Sequence, residues 1–285
     1  MATTAVVIAS EVALSLYPIL IKTVPTNLTT QLLSRFLVYS GLAYFFANET
    51  DVLLTWGTLS GAFRSSMLGL LTLAHVGTSY YAFQQLPAGV SMSLFYTYPI
   101  WNLIGAAIGF GESFTLVQVL LVTLGFLGAV LVAYGNKDED PQKQKDPYNW
   151  KGILAGLLAA LTESAIYFAV KTAERPSPFY AILELYPMAF VLMLFLTWFT
   201  KSSVDVRPQV WARMLSFNTL VGFLGYCLRF YSIPRLPTIV FSLLSFLGVL
   251  SSFVFGYLFL NETPSSVTLL GGGLISAVTA FSVSQ

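Results

Sequence analysis

The sequence predicts an all-α integral membrane protein of ten transmembrane helices, built as two inverted five-helix repeats. Three observations predict it: an apolar composition, polar breaks at membrane-spanning intervals, and an internal repeat. Of 285 residues, 56% are hydrophobic and 9% are charged, with a mean hydropathy of +0.74, whereas soluble domains carry about 25% charged residues. An α-helix rises about 1.5 Å per residue, so a hydrocarbon core of about 30 Å takes roughly 20 apolar residues to cross.

The first span, residues 3–23, lacks a basic leader and a small-residue cleavage pattern and carries Glu11 near its middle. It reads as a spanning helix and not as a signal peptide. Further spans are expected at 28–47, 63–85, 88–110, 114–135, 151–172, 178–200, 212–233, 236–260 and 264–284. The separators VPTN, QQLPAG, GESF, ERPSP, IPRLP and NETP are too short for a soluble domain. The longest, NKDEDPQKQKDPYN at 136–149, is charged and proline-bearing and predicts a flexible linker. It divides the chain into a first repeat (1–135) and a second (150–285).

With an offset near 150 the halves match. Gln85-Leu86-Pro87 meets Arg235-Leu236-Pro237, Tyr81 meets Tyr231, Val90 meets Val240 and Glu112 meets Glu262. Lys22-Thr23 meets Lys171-Thr172 after a one-residue change of offset. An odd number of spans per repeat makes the second copy enter from the opposite side, so the two copies can exchange conformations about a central site.

Two stretches carry a family resemblance. YYAFQQLPAGVSMSLFYTYPIWNLIGAAIGFGESFTLVQVLLVTLGFLGAVLVAYG has a proline inside its fourth helix and a Gly-Glu closing it, and RFYSIPRLPTIVFSLLSFLGVLSSFVFGYLFLNETPSSVTLLGGGLISAVTAFSVSQ parallels it in the second half. With PILIKT and SRFLVY near the start, the chain resembles the drug/metabolite transporter superfamily, in its ten-helix EamA-type branch. The resemblance implies an exporter or exchanger whose cavity is lined by helices 1 to 4 and 6 to 9, with helices 5 and 10 peripheral. Helix 9 has no cation, unlike the Lys-Arg pair of the plastid sugar-phosphate branch, which argues against phosphorylated sugars. Val249 stands where a proline equivalent to Pro99 would fall, so the two helix pairs are expected to bend differently.

A charge near the bilayer centre costs at least about 2.5 to 3.5 kcal/mol on insertion scales, so each such group needs a partner or a task. Glu11 and Glu163, at near-equivalent places in helices 1 and 6, read either as proton-coupling carboxylates or as packing glutamates neutralised by a hydroxyl or an arginine. Arg35 in helix 2 aligns with Glu184 in helix 7, and an ion pair or a split carboxylate and ammonium site could follow. The planar guanidinium makes Arg35 the first candidate for gripping an anion. A structural pair with Glu11, Glu163 or Glu184 is its other reading, and Arg229 in helix 8 has the same two. Lys22 and Lys171 end their helices and read as coupling or gating residues, or as side chains reaching the headgroups.

Among the aromatics, Tyr81, Tyr98 and Trp101 are the leading substrate contacts, and other tyrosines on the same helices are belt or lining residues. His75 is read as a packed or hydrogen-bonded helix residue and Cys227, the single cysteine, as a buried thiol. Gly105 and Gly109 form a close-packing step, with further small surfaces at Gly125, Gly128 and Gly271 to Gly273. Pro18, Pro99 and Pro187 can bend their helices. The sequons at Asn27 and Asn48 are expected to hug the membrane.

The net charge of +1 offers no field for nucleic acid, and the sequence has no P-loop, dinucleotide-binding glycine motif or zinc-protease signature. No cofactor, metal or enzymatic activity is expected. Positive charges favour the face of the central linker over the face of the termini by eight to four, while the resemblance implies cytoplasmic termini, so orientation stays open.

The resulting expectation is a secondary transporter, exporter or exchanger, of a small polar metabolite such as an amino acid or organic anion. Its partners would be that metabolite, the bilayer and a coupling proton, with the protein a monomer or homodimer in a plasma membrane or endomembrane. The alternatives are a nucleotide-sugar or sugar-conjugate carrier and a non-transporting scaffold or receptor.

Overall fold

The computed structural model describes residues 2–135, 149–261, 263 and 265–284, and among these every regular element is helical. Most of the proposed linker and Glu262, the residue aligned above with Glu112, lie outside the described residues. The first half comprises α1 (Ala2–Leu14), α2 (Tyr17–Thr23), α3 (Leu28–Phe46), α4 (Glu49–Trp56), α5 (Leu59–Gln85), α6 (Ala88–Phe95), α7 (Tyr98–Phe110) and α8 (Leu116–Gly135). The second comprises α9 (Trp150–Lys171), α10 (Pro178–Phe199), α11 (Pro208–Phe217), a π-helical turn (Asn218–Phe223), α12 (Leu224–Ser232), a 3₁₀ turn (Ile233–Arg235), α13 (Thr238–Ser245), α14 (Leu247–Leu260) and α15 (Ser266–Ser284).

Helices occupy all ten stretches marked out by hydropathy. Four continuous or near-continuous stretches, Ala2–Thr23, Trp150–Lys171, Pro178–Phe199 and Thr238–Leu260, are long and apolar enough to cross a membrane. Leu116–Leu131 and Ser266–Phe281 are shorter apolar helices. Large apolar side chains stand on the outside, among them Phe45, Leu59, Trp198 and Phe199, which water would not tolerate in such number but lipid does. The chain is an integral multi-pass membrane protein.

Local chemistry sets the helix ends. The side chain of Asn27 accepts from the Thr30 amide to cap α3, and Asn48 forms a capping box with Asp51 to start the short α4, an element that hydropathy did not reveal. Both sequon asparagines are thus helix caps. Thr58, Asn149 and Ser177 cap α5, α9 and α10 in the same way. Gly111 (φ 65°) and Asn261 (φ 56°), 150 positions apart, close α7 and α14 in the left-handed conformation that only glycine and asparagine adopt cheaply.

The halves interleave. The long α5 packs on α9 and α10, α3 on α10, and α1 on α12, while α13 and α14 lie against α6, α7 and α1. The last helices, α8 and α15, pack on each other, Gly128 approaching the Gly271 carbonyl and Ile275. A Cβ at Gly105 would collide with the Phe168 ring, whereas one at Gly109 would meet nothing within 4 Å, so the expected two-glycine step is a contact at one position only.

The expected difference in bending is corrected. The helix breaks at 96–97, just before Pro99, and again at 246, where no proline stands. The two breaks meet: the Tyr96 ring packs on Gly248, where a Cβ would collide with its hydroxyl, so tertiary packing supports the second interruption. Pro18 follows the break between α1 and α2, whereas Pro187 lies within an unbroken α10.

Candidate functional site

Two buried guanidinium groups face a small internal cavity. It is lined by residues of α1 to α3, α5 and α6 from the first half and by Tyr226 and Arg229 of α12 from the second. Its volume is about 20 Å³, room for about one water. Arg35 is 2% exposed and Arg229 is 1%.

Around Arg35 the chain builds a cage of tyrosines. Its guanidinium carbon lies 4.7 Å from the ring centroids of Tyr17 and Tyr226, 5.1 Å from Tyr39, 5.5 Å from Tyr80 and 5.7 Å from Tyr186. These are cation–π distances, which strengthen when water is excluded. Nη2 donates to the Tyr186 hydroxyl at 2.9 Å and Nη1 to Tyr80 at 3.4 Å, while Nε has no hydrogen-bond partner. Tyr17 and Tyr39 share a hydrogen bond of 2.7 Å, and Tyr17 also donates to Asn218 Oδ1 at 3.1 Å. Asn218 opens the π-helical turn, whose Gly222 lets the Tyr17 and Tyr39 hydroxyls approach the backbone.

Arg229 is matched by charge. Its Nη1 pairs with Glu11 Oε1, and Nε and Nη2 reach Glu163 Oε1 at 2.9 and 2.7 Å. The Tyr96 hydroxyl donates to Glu11 Oε2 at 2.6 Å, and the Tyr98 and Phe241 rings cover the guanidinium at 5.0 and 5.2 Å. His75 completes the cluster, with Nε2 3.1 Å from Glu163 Oε2 though without the alignment of a linear hydrogen bond. On the other side of the ring, Nδ1 faces the Ala159 carbonyl at 3.1 Å and Thr162 Oγ1 at 3.3 Å.

The structure distributes the sequence candidates unevenly. Arg35, Arg229, Glu11, Glu163 and Tyr98 lie at or beside the cavity. Glu184 does not pair with Arg35: it accepts from Arg64 Nε at 2.8 Å and from Tyr180 at 3.2 Å. Lys171 donates to Thr238 at 2.6 Å and lies 3.5 Å from Glu112, away from the cavity lining. Lys22 is half-buried at the end of α2 and does not line the cavity either. Trp101 is 40% exposed on the outer surface, and Tyr81 is half-buried and absent from the cavity lining, while its neighbour Tyr80 is buried against Arg35. Tyr17 and Tyr39 were missed, although Tyr39 stands one helical turn from Arg35, the spacing at which side chains meet.

Residues 150–284 match the EamA-like transporter family, which lies within the drug/metabolite transporter superfamily. One solved crystal structure superposes with a TM-score of 0.75 over 98% of this chain and 95% of its own, at 15% sequence identity. At that identity the likeness speaks to the fold alone, which 29 chains among the solved structures share at a significant level. Comparison with curated proteins gives no match.

Proposed function

We propose that this multi-pass membrane protein, whose second half matches the EamA-like transporter family, is a secondary transporter that exports or exchanges a small anionic metabolite such as an organic acid or an amino acid. Two inverted five-helix repeats would alternate access to the cavity between them. The observation that carries the reading is the unequal balance of the two arginines. Arg229 has two carboxylates, whereas Arg35 has none among the described residues within ion-pair distance. A buried cation held by neutral rings is costly without an anion. Its planar fork, with Nε unsatisfied, suits a carboxylate.

A cavity of about 20 Å³ holds no metabolite, so binding requires the helices around it to part. The interruptions at residues 15–16, 96–97 and 246 and the π-helical turn at 218–223 are the places where that opening costs least. Glu11 and Glu163, tied to Arg229, serve as the pivot that joins α1, α9 and α12.

The test is thermal stabilisation of detergent-purified protein by a panel of amino acids, organic acids, sugars and nucleotides, repeated with Arg35→Ala, because a ligand that binds only the folded state raises the midpoint. An anion that stabilises the wild type and not the variant supports the reading. A stabilising ligand indifferent to Arg35→Ala removes Arg35 from the site. Counter-exchange restricted to nucleotide monophosphates in liposomes would favour a sugar-conjugate carrier, and binding without flux a receptor or scaffold.

A further inference from the structure

We propose that the His75–Glu163 pair carries one proton, and that this proton balances the cavity's charge so that a monoanion and a proton are carried together. The inference rests on the anion-transport reading above and adds its coupling ion and stoichiometry.

The geometry of His75 fixes half of the argument. Its Nδ1 faces a backbone carbonyl, an acceptor only, and a threonine hydroxyl that already donates to the Leu158 or Ala159 carbonyl. Nδ1 therefore carries a hydrogen. A neutral His75 then presents a lone pair at Nε2, 3.1 Å from Glu163 Oε2, a buried oxygen with no hydrogen-bond donor. Two acceptors at that distance repel each other unless a proton sits on one of them.

Charge counting gives the other half. The charged groups facing the pair are Glu11 from α1, Arg229 from α12 and Arg35 from α3 across the cavity, with the hydroxyls of Tyr96, Tyr98 and Thr162 around them. With the proton present, Glu11 and Arg229 cancel, the His75–Glu163 pair is neutral and Arg35 leaves the cavity at +1. Without it the same groups sum to zero. Only the protonated cavity calls for a monoanion, and by linkage the anion raises proton affinity as much as the proton raises anion affinity. The proton enters from water on one side and leaves to water on the other. No net charge moves.

The experiment is a titration of the purified wild-type protein with lactate, pyruvate and glutamate, all monoanions at neutral pH, in weakly buffered detergent solution with a pH indicator, alongside the melting midpoint. The expected result is uptake of about one proton per anion bound, with apparent Kd rising about tenfold per pH unit once the pair is deprotonated in the free protein. Glu163→Gln keeps the shape of the protonated carboxyl, so its binding is expected to become independent of pH and to take up no proton. Should that variant fail to fold, His75→Gln replaces it, with uptake lost or moved to another pH. Binding by the wild type without proton uptake overturns the proposal, as does uptake unchanged in either variant. Absence of midpoint shift and of binding by every probe overturns the anion reading itself, and this inference with it.

Discussion

Glu184 of α10 accepts its charge-bearing hydrogen bond from Arg64 of α5, at 2.8 Å, and leaves Arg35 of α3 to the tyrosines. The choice of partner follows from depth. Arg64 sits near the start of α5 with its side chain 36% exposed, so it can neutralise a buried carboxylate without being wholly desolvated. Removing it with Arg64→Met strands Glu184 and should cost about 1 to 2 kcal/mol, discounted for the exposure of the arginine. Arg64→Met made in a Glu184→Gln background should cost much less, which a double-mutant cycle of melting midpoints checks. Equal costs in both backgrounds would mean that the pair contributes nothing.

The triad of Glu11, Arg229 and Glu163 behaves differently because no member reaches solvent. Arg229→Met leaves the Glu11 carboxylate without its cation in a dry interior, beside Glu163, and should cost about 3 to 5 kcal/mol, enough to lower folded yield in detergent. Adding Glu11→Gln removes the stranded charge and Glu163→Gln keeps its carboxyl neutral whether or not it holds a proton, so the triple variant should melt well above the single one. Size-exclusion profiles and melting midpoints distinguish them, and a triple variant no better than Arg229→Met alone would sink the account.

Length and hydropathy marked out stretches that the structure fills with helix, four of them long and apolar enough to cross a membrane, because a bilayer demands about 20 apolar residues per crossing, a rule that ignores side-chain detail. What escaped is interior irregularity. The break at Phe246 and the π-helical turn after Phe217 have no proline to announce them; they follow from the contacts of Tyr96 with Gly248 and of Tyr17 with Asn218, which join residues far apart in the chain. The charged part of the cavity was legible because a buried ion in a membrane is too costly to be accidental, hence Glu11, Arg35, Glu163 and Arg229. The aromatic part was not. Lipid and protein interior are equally apolar, so hydropathy cannot say whether Tyr80 or Tyr81 faces inward, nor that Tyr98 is buried while Trp101 is 40% exposed. The pairing of Glu184 with Arg64 was missed for a related reason, since alignment of repeats gives equivalence of position and not distance.

The crossing of the two broken helices at Tyr96 and Gly248 predicts a strong local coupling. A methyl at residue 248 would collide with ring and hydroxyl atoms of a tyrosine that is 1% exposed and tied to Glu11. Gly248→Ala should therefore cost about 1 to 3 kcal/mol by overpacking. In a Tyr96→Leu background, where the ring is gone, the same change should be nearly neutral. Additive losses in melting midpoint would show that the ring has room to move and that the crossing is loose.

Outside the membrane-spanning helices, Asp205 ties the stretch between α10 and α11 to the start of α3. Its carboxylate accepts from the Arg207 backbone and side chain at 3.0 Å and from the Thr26 hydroxyl at 2.9 Å, and its carbonyl accepts from Trp211 at 2.6 Å. The Arg207 hydrogen bonds hold this carboxyl well below the usual carboxylate range. A group depressed in the folded state contributes its full stability above the unfolded value, about 4 for aspartate, and loses it as pH falls toward the lower folded value. Amide hydrogen exchange across residues 203–207 should thus be slower in wild type than in Asp205→Asn at pH 5 and above, and the difference should shrink steadily below about pH 4. Intrinsic exchange differs between the two chains only at residues 205 and 206, so the comparison is read at the amides of 203, 204 and 207, where it isolates the carboxylate. Equal protection of the two at pH 7 would show that the hydrogen bonds of the Asp205 backbone, its carbonyl accepting from the Trp211 indole and its amide donating to the Thr30 hydroxyl, and not the charge, hold the loop.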